Sequence, residues 1–153
     1  MEATFKKVTD FLDEQGAPYK ILEHEPVFTS EQAAKIRGTS LKQGAKALLF
    51  KSKENFILIV APGDKRVDSK KLKKLLGTKD LRFATPEEVK QVMGCEIGAC
   101  YPFGNLIGVR MIVDKSVGKN EIISFNAGLH NRSVLIKYAD YEKAVNPEVV
   151  DIT

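Results

Sequence analysis

The sequence predicts a mixed α/β domain. Segments with helical periodicity alternate with short, strand-like apolar runs. Glycine or proline closes most of those segments. At 153 residues and 43% apolar, the chain can fill one core without disulfide or metal staples, so a single domain over residues 1–153 is expected.

Phe5, Val8, Phe11 and Leu12 recur at helical spacing, so residues 2 to 15 read as an amphipathic helix that Gly16 and Pro18 end. Tyr19 to Leu22 is a short strand. Thr29 and Gln32 have the spacing of a capping box and open a helix through about Arg37, stopped at Gly38. Ala45 to Lys51 and Asn55 to Ala61 are strands. The second is continuously apolar from Phe56 to Val60, which predicts burial on both faces. Pro62-Gly63-Asp64 is a turn. Val67, Leu72, Leu75 and Leu76 mark a lysine-rich helix ending at Gly77. Leu81 to Phe83 is a short strand. Thr85-Pro86-Glu87-Glu88 starts a helix that runs to about Met93, with Pro86 at its first position. Glycines crowd the loop from Gly94 to Gly108. Val109 to Val113, Glu121 to Phe125 and Val134 to Lys137 read as strands, and a final helix lies near Asp140 to Val145, before Pro147.

Bulk properties exclude several classes. A net charge of +4 and a pI near 9.0 are compatible with a polyanionic partner but do not require one. No apolar run has the length of a membrane span, and Met1-Glu2-Ala3-Thr4-Phe5 has no signal-peptide pattern. Cys95 and Cys100 are too few for a disulfide framework, and no further ligands sit near them. They read as small buried side chains in a reducing, cytoplasmic compartment. Neither metal nor cofactor is expected, since His24 and His130 are isolated. A P-loop, a dinucleotide fingerprint, HExxH and a Gly-x-Ser-x-Gly elbow are all missing.

Four places carry candidate chemistry. Lys46 alternates onto the strand face of Leu48 and Phe50. If that face is core, an ammonium there needs a counter-charge or a cavity; if the face opens at the strand end, the side chain snorkels to water. The segment from Gly94 to Gly104 has Gly98 for close backbone approach and Pro102 for stiffness. Its backbone N–H groups can cradle an anion or developing oxyanion, or simply make a tight connection. Phe125-Asn126-Ala127-Gly128-Leu129-His130 places an amide and an imidazole at a junction between strands, where His130, like His24, is either a substrate contact or an exposed side chain. Lys65, Arg66, Lys70, Lys71, Lys73, Lys74 and Lys79 form a basic cluster that tracks phosphates or is merely a solvated face.

Taken in order, these segments resemble one family, the YbaK/EbsC proteins and the editing domain inserted in, or related to, prolyl-tRNA synthetase. The resemblance runs from His24-Glu25-Pro26-Val27-Phe28-Thr29-Ser30-Glu31-Gln32-Ala33-Ala34 through Lys46 and Lys65-Arg66-Val67-Asp68 to Ala84-Thr85-Pro86-Glu87-Glu88-Val89. It peaks at Gly94 to Gly98 and Pro102-Phe103-Gly104, and ends at Phe125 to His130.

The resemblance implies a mixed, β-barrel-like sheet surrounded by helices, and an enzyme that hydrolyses the ester of a mischarged tRNA, Cys- or Ala-tRNA(Pro) first. The family lysine falls on Lys46, and the family GxxxP loop on Gly98, Ala99, Cys100, Tyr101 and Pro102. Lys46 and Gly98 are then the catalytic candidates. His24, Ala99, Cys100, Tyr101, Pro102, Asn126, Gly128 and His130 are candidates for substrate binding, and Lys65, Arg66, Lys70, Lys73 and Lys74 for holding tRNA. Prolyl-tRNA synthetase is an implied partner. A non-catalytic RNA-binding module and a small-molecule binding domain are the competing readings.

Overall fold

The computed structural model describes residues 2–153. Its helices are α1 (Glu2–Glu14), α2 (Ser30–Arg37), α3 (Ser69–Leu76), α4 (Pro86–Met93) and α5 (Tyr138–Val145). The strands are β1 (Tyr19–Glu23), β2 (Ala45–Ser52), β3 (Asn55–Pro62), β4 (Arg82–Phe83), β5 (Arg110–Asp114), β6 (Ile122–Asn126), β7 (Arg132–Lys137) and β8 (Glu148–Val150). Short 3-10 turns precede β2 and flank β5.

A five-stranded sheet has the order β4-β2-β3-β5-β8, and a three-stranded sheet the order β1-β7-β6. The β2–β3 hairpin is antiparallel, whereas β3–β5 and β5–β8 are parallel. A bridge between Gly44 and Ser124 brings the start of β2 against β6. The two sheets thus curve like an open barrel around the larger of two cores. The barrel-like expectation holds in this form; a closed barrel is not made among the described residues.

The central hairpin separates two cores. Ala45, Ala47, Leu49, Leu58 and Val60 point into the larger one, with Val8 and Leu12 of α1 and the rings of Phe103, Phe125 and Tyr141. Phe50, Ile57, Ile59 and Ile112 point into a smaller one, closed by Leu72 of α3 and by Ile152. Because side chains alternate, β3 must be apolar throughout to serve both, as its sequence predicts. Lys46 lies on the small-core side of β2, where that core runs out and the strand end opens.

Capping explains several helix starts. Thr85 and Glu88 form a complete capping box with Pro86 inside it. Asp68 accepts from the N–H groups of Lys70 and Lys71. At α2 the Thr29 hydroxyl accepts from Gln32 N, but the Gln32 side chain reaches past Thr29 to Phe28 N at 2.9 Å, one residue beyond a standard box.

Helix α5 starts two residues before its sequence signal, since Lys137 caps it without a side-chain bond. Strand β8 has no sequence signal at all. It is three residues long, follows Pro147, and is fixed by pairing with β5 and by the Arg110–Glu148 ion pair at 2.9 Å. No helix among the described residues is long and apolar enough to cross a membrane.

Ile152 fastens the end of the chain beneath α3. Its N–H donates to Asp114 Oδ1 at 2.8 Å, its carbonyl accepts from Asp68 N at 2.7 Å, and Lys71 reaches Asp151 and the Thr153 carbonyl. Its side chain is 1% exposed. Ile152→Ala is therefore expected to lower unfolding free energy by about 2–4 kcal/mol, from lost transfer energy plus a cavity. Chemical denaturation checks this, with a lowered midpoint at unchanged slope as the signature.

Candidate active site

Lys46 stands opposite Ala61 in the hairpin, just after the 3-10 turn Leu41–Gln43. The backbone is closely packed here. Gly63 N donates to Gly44 O at 2.8 Å, and a Cβ on Gly63 would lie 2.6 Å from the Leu41 carbonyl oxygen. The Lys46 ammonium donates to the Lys65 carbonyl at 2.6 Å and joins none of the ion pairs among the described residues. Burial lowers its pKa from the usual 10.5; Glu31 and Asp64 oppose that shift and Arg66 adds to it. Both sequence alternatives are thus partly met: the lysine is half-buried, and it meets a carbonyl and a cleft rather than a carboxylate.

The cleft has a volume of about 390 Å³, and Lys46, Gly98, Cys100 and Asn126 all line it. Gly98 has φ +90°, a conformation L side chains rarely adopt, and a Cβ there would lie 3.2 Å from Cε1 of His130. The loop is held by internal bonds. Ala99 N donates to Glu96 O at 3.0 Å, Gly128 N to Ala99 O at 2.9 Å, and Asn126 Nδ2 to Gly98 O at 2.8 Å. The Gly98 N–H has no acceptor among the described residues.

Other loop candidates turn away from the cleft. Ala99 and Tyr101 are buried in the larger core, and the Tyr101 hydroxyl donates to Met93 O at 2.7 Å. Pro102 presents its carbonyl to the Tyr141 hydroxyl at 2.7 Å. Cys100 alone of the loop's middle three residues lines the cleft. Its sulfur is 3.7 Å from Cys95, and both thiols are free. The Cys95 thiol is pushed up by donating to Cys100 and by burial.

The histidines and Gly128 support the site from outside. One His130 ring nitrogen, Nδ1, is 3.1 Å from the Val27 carbonyl, and the ring packs on Phe28 with centroids 4.6 Å apart, behind Gly98. His24 Nδ1–H donates to the Glu25 carbonyl, which leaves Nε2 to accept from the Ser133 hydroxyl at 2.7 Å. A Cβ on Gly128 would lie 2.7 Å from a Thr4 methyl group, so this glycine lets α1 approach. Of the basic candidates, Lys65, Arg66, Lys70 and Lys74 are exposed and Lys73 is half-buried. Through the Lys65 carbonyl this cluster adjoins Lys46. Among the described residues, no three potential metal ligands gather.

Sequence reasoning overlooked Arg37. In the last turn of α2 it resembles an ordinary cation at a helix C-terminus. In the fold it lines the cleft and donates to Ser133 Oγ at 2.8 Å, Ser124 Oγ at 3.1 Å and Asn126 Oδ1 at 3.0 Å. All three partners are neutral, and burial lowers its pKa to about 10. They lie some ninety residues away in sequence, so local patterning could not have signalled them.

Residues 24–144 match the family model of the aminoacyl-tRNA editing domain. The chain belongs to that family. The multifunctional Ser/Thr-tRNA deacylase ProXp-y of Escherichia coli K12 is 34% identical over 153 residues, covering 97% of this chain and 92% of that protein. The prolyl-tRNA editing protein ProX of Acetoanaerobium sticklandii is 29% identical, covering 88% of this chain and 85% of that protein. A crystal structure of a proposed trans-editing enzyme for prolyl-tRNA synthetase superposes with a TM-score of 0.88 over 98% of this chain and 96% of that one. At 24% identity it supports the editing-domain fold alone.

Proposed function

We propose that residues 1–153 act as one editing domain that hydrolyses, in trans, the ester of a tRNA mischarged with a small amino acid. The supporting observation is that Lys46 and the Gly98 loop open onto the same cleft. An aminoacyl ester beside a vicinal hydroxyl is already labile, so positioning and charge stabilisation count for more than a strong protein nucleophile. Lys46 anchors the terminal phosphate or the ester carbonyl as a compact point charge. The Gly98 N–H faces the oxygen that becomes negative when the carbonyl turns tetrahedral. Water, oriented by the substrate's own hydroxyl, adds to that carbon. The carbon–oxygen bond to the ribose breaks, the ribose oxygen takes a proton, and the free amino acid leaves. With a cysteinyl substrate its own thiol can attack instead, and no side chain of the protein becomes acylated.

The cleft wall includes Ala33, Ala34, Ala45 and Ala47, which suits a small aminoacyl group. The sequence resemblance favours Ala- and Cys-tRNA(Pro), and the name of the Escherichia coli relative adds Ser- and Thr-tRNA. The test is deacylation of those four substrates by wild type. Selective turnover supports the reading and names the substrate. No turnover, with salt-sensitive tRNA binding retained, replaces it with an RNA-binding module.

In this reading the α3 face tracks the phosphate backbone. Replacing Lys70, Lys73 and Lys74 together by alanine is expected to weaken tRNA binding. It should also flatten the plot of log affinity against log salt by about 2–3, since each of the three lost phosphate contacts removes roughly 0.7–0.9 from the slope. Binding titrations at three salt concentrations check this.

A further inference from the structure

Arg37, Asn126 and Gly98 form a chain of donors and acceptors with only one consistent orientation. A guanidinium donates and never accepts. Arg37 Nη2 lies 3.0 Å from one end of the Asn126 amide, so that end is the oxygen. The other end is then the NH₂ group, 2.8 Å from the Gly98 carbonyl, which only accepts. Reversing the amide would set donor against donor at Arg37 and acceptor against acceptor at Gly98.

The guanidinium is itself fixed, since Ser124 and Ser133 hold two more of its N–H groups. Ser124 is 0% exposed, Ser133 0% and Asn126 9%, so the assembly sits in the protein wall of the cleft. A buried guanidinium surrounded by neutral oxygens is costly, and an apolar side chain would serve packing better.

We infer that Arg37 is a positioning residue: it locks the Asn126 amide so that Nδ2 holds the Gly98 carbonyl, and with it the loop that faces the ester. The catalytic part of this inference rests on the editing reading; the mechanical part does not. Gly98, at φ +90°, has no side chain to fix its own peptide, so the hold comes from across the cleft wall. The same peptide unit carries the Ala99 N–H, which donates to Glu96 O, and the next carbonyl, Ala99 O, accepts from Gly128 N, so exchange at Ala99 and Gly128 reads out how firmly this stretch is held.

The test uses Arg37→Met, Arg37→Lys and Asn126→Asp in the full chain. Asn126→Asp keeps an acceptor for Arg37 and removes the donor to Gly98. Three quantities are measured: kcat and KM on the best substrate of the panel, thermal midpoint, and native-state amide exchange at Ala99 and Gly128. Arg37→Met and Asn126→Asp are each expected to lower kcat at least about tenfold, with KM within about twofold. The double variant should be no slower than the worse single one, as two links in series require. Arg37→Lys, with one donor in place of a fork, should recover part of the loss. Exchange at both amides should rise at least about tenfold in Arg37→Met and Asn126→Asp. Should Arg37→Met fail to fold, Asn126→Asp carries the test. Unchanged exchange at both amides in the folded variants overturns the inference, as does a rise in KM at constant kcat, which would make Arg37 a substrate contact. If wild type hydrolyses no ester of the panel, the editing reading falls, and the exchange measurement still decides whether Arg37 positions the loop.

Discussion

Lys46→Ala is expected to cut deacylation at least about a hundredfold while leaving the fold intact. The rate effect follows from removing a positive charge from a small cleft lined mainly by apolar side chains. A single donor aimed at developing charge is commonly worth about 2.7–4 kcal/mol of barrier. Stability should change little, because the ammonium's hydrogen bond is to the exposed Lys65 carbonyl, which water can satisfy, and because Lys46 has no ion-pair partner to strand. The pairing of β2 with β3 is made by backbone and survives the truncation. Single-turnover rates beside a thermal melt check both halves. A normal rate in the folded variant would sink the mechanism.

Gly98→Ala is expected to cost activity at least tenfold and to lower the thermal midpoint by a few degrees. Two effects add. A side chain at φ +90° carries a backbone penalty of about 1–3 kcal/mol, and the new methyl group meets His130 at 3.2 Å, inside normal contact. The loop relieves this by shifting, and a displacement of about 1 Å in a positioned group can cost on the order of a hundredfold in rate. Combining the change with His130→Ala separates the two effects: it removes the contact and leaves the dihedral strain. Full activity in Gly98→Ala alone would show that the loop's geometry does not set the rate.

Much of the frame was legible in the chain because its signals are local. Thr85-Pro86-Glu87-Glu88 specifies a helix start within four residues, and the unbroken apolar run of β3 announces burial on both faces. The site was legible only as a set of segments. Lys46, Gly98 and Asn126 could be singled out, and the fold brings them to one cleft. Patterning could not tell which way each loop residue faces. Ala99 and Tyr101 turn wholly into the core while Cys100 also reaches the cleft, an arrangement held by hydrogen bonds to Met93, Gly128 and Tyr141 outside the loop. Arg37 was missed for the same reason. Its role depends on Ser124, Asn126 and Ser133, and its own neighbourhood reads as a routine helix end.

The small core also sets an order of events. A ribosome delivers the chain from its N-terminus, so α3 and the β2–β3 hairpin emerge well before residues 148–152. Yet Leu72 is sealed partly by Ile152, and the Lys71–Asp151 contact spans 80 residues. Contacts that distant form late, after the entropy of closing the intervening loop has been overcome. Until then the lysine-rich helix has an incomplete floor, although the hairpin beneath it can already be paired. The larger core does not wait in this way for Ile152. The floor of the basic face is therefore completed by the last residues of the chain to emerge, and in a refolding experiment the amides of α3 are expected to gain protection after those of the hairpin.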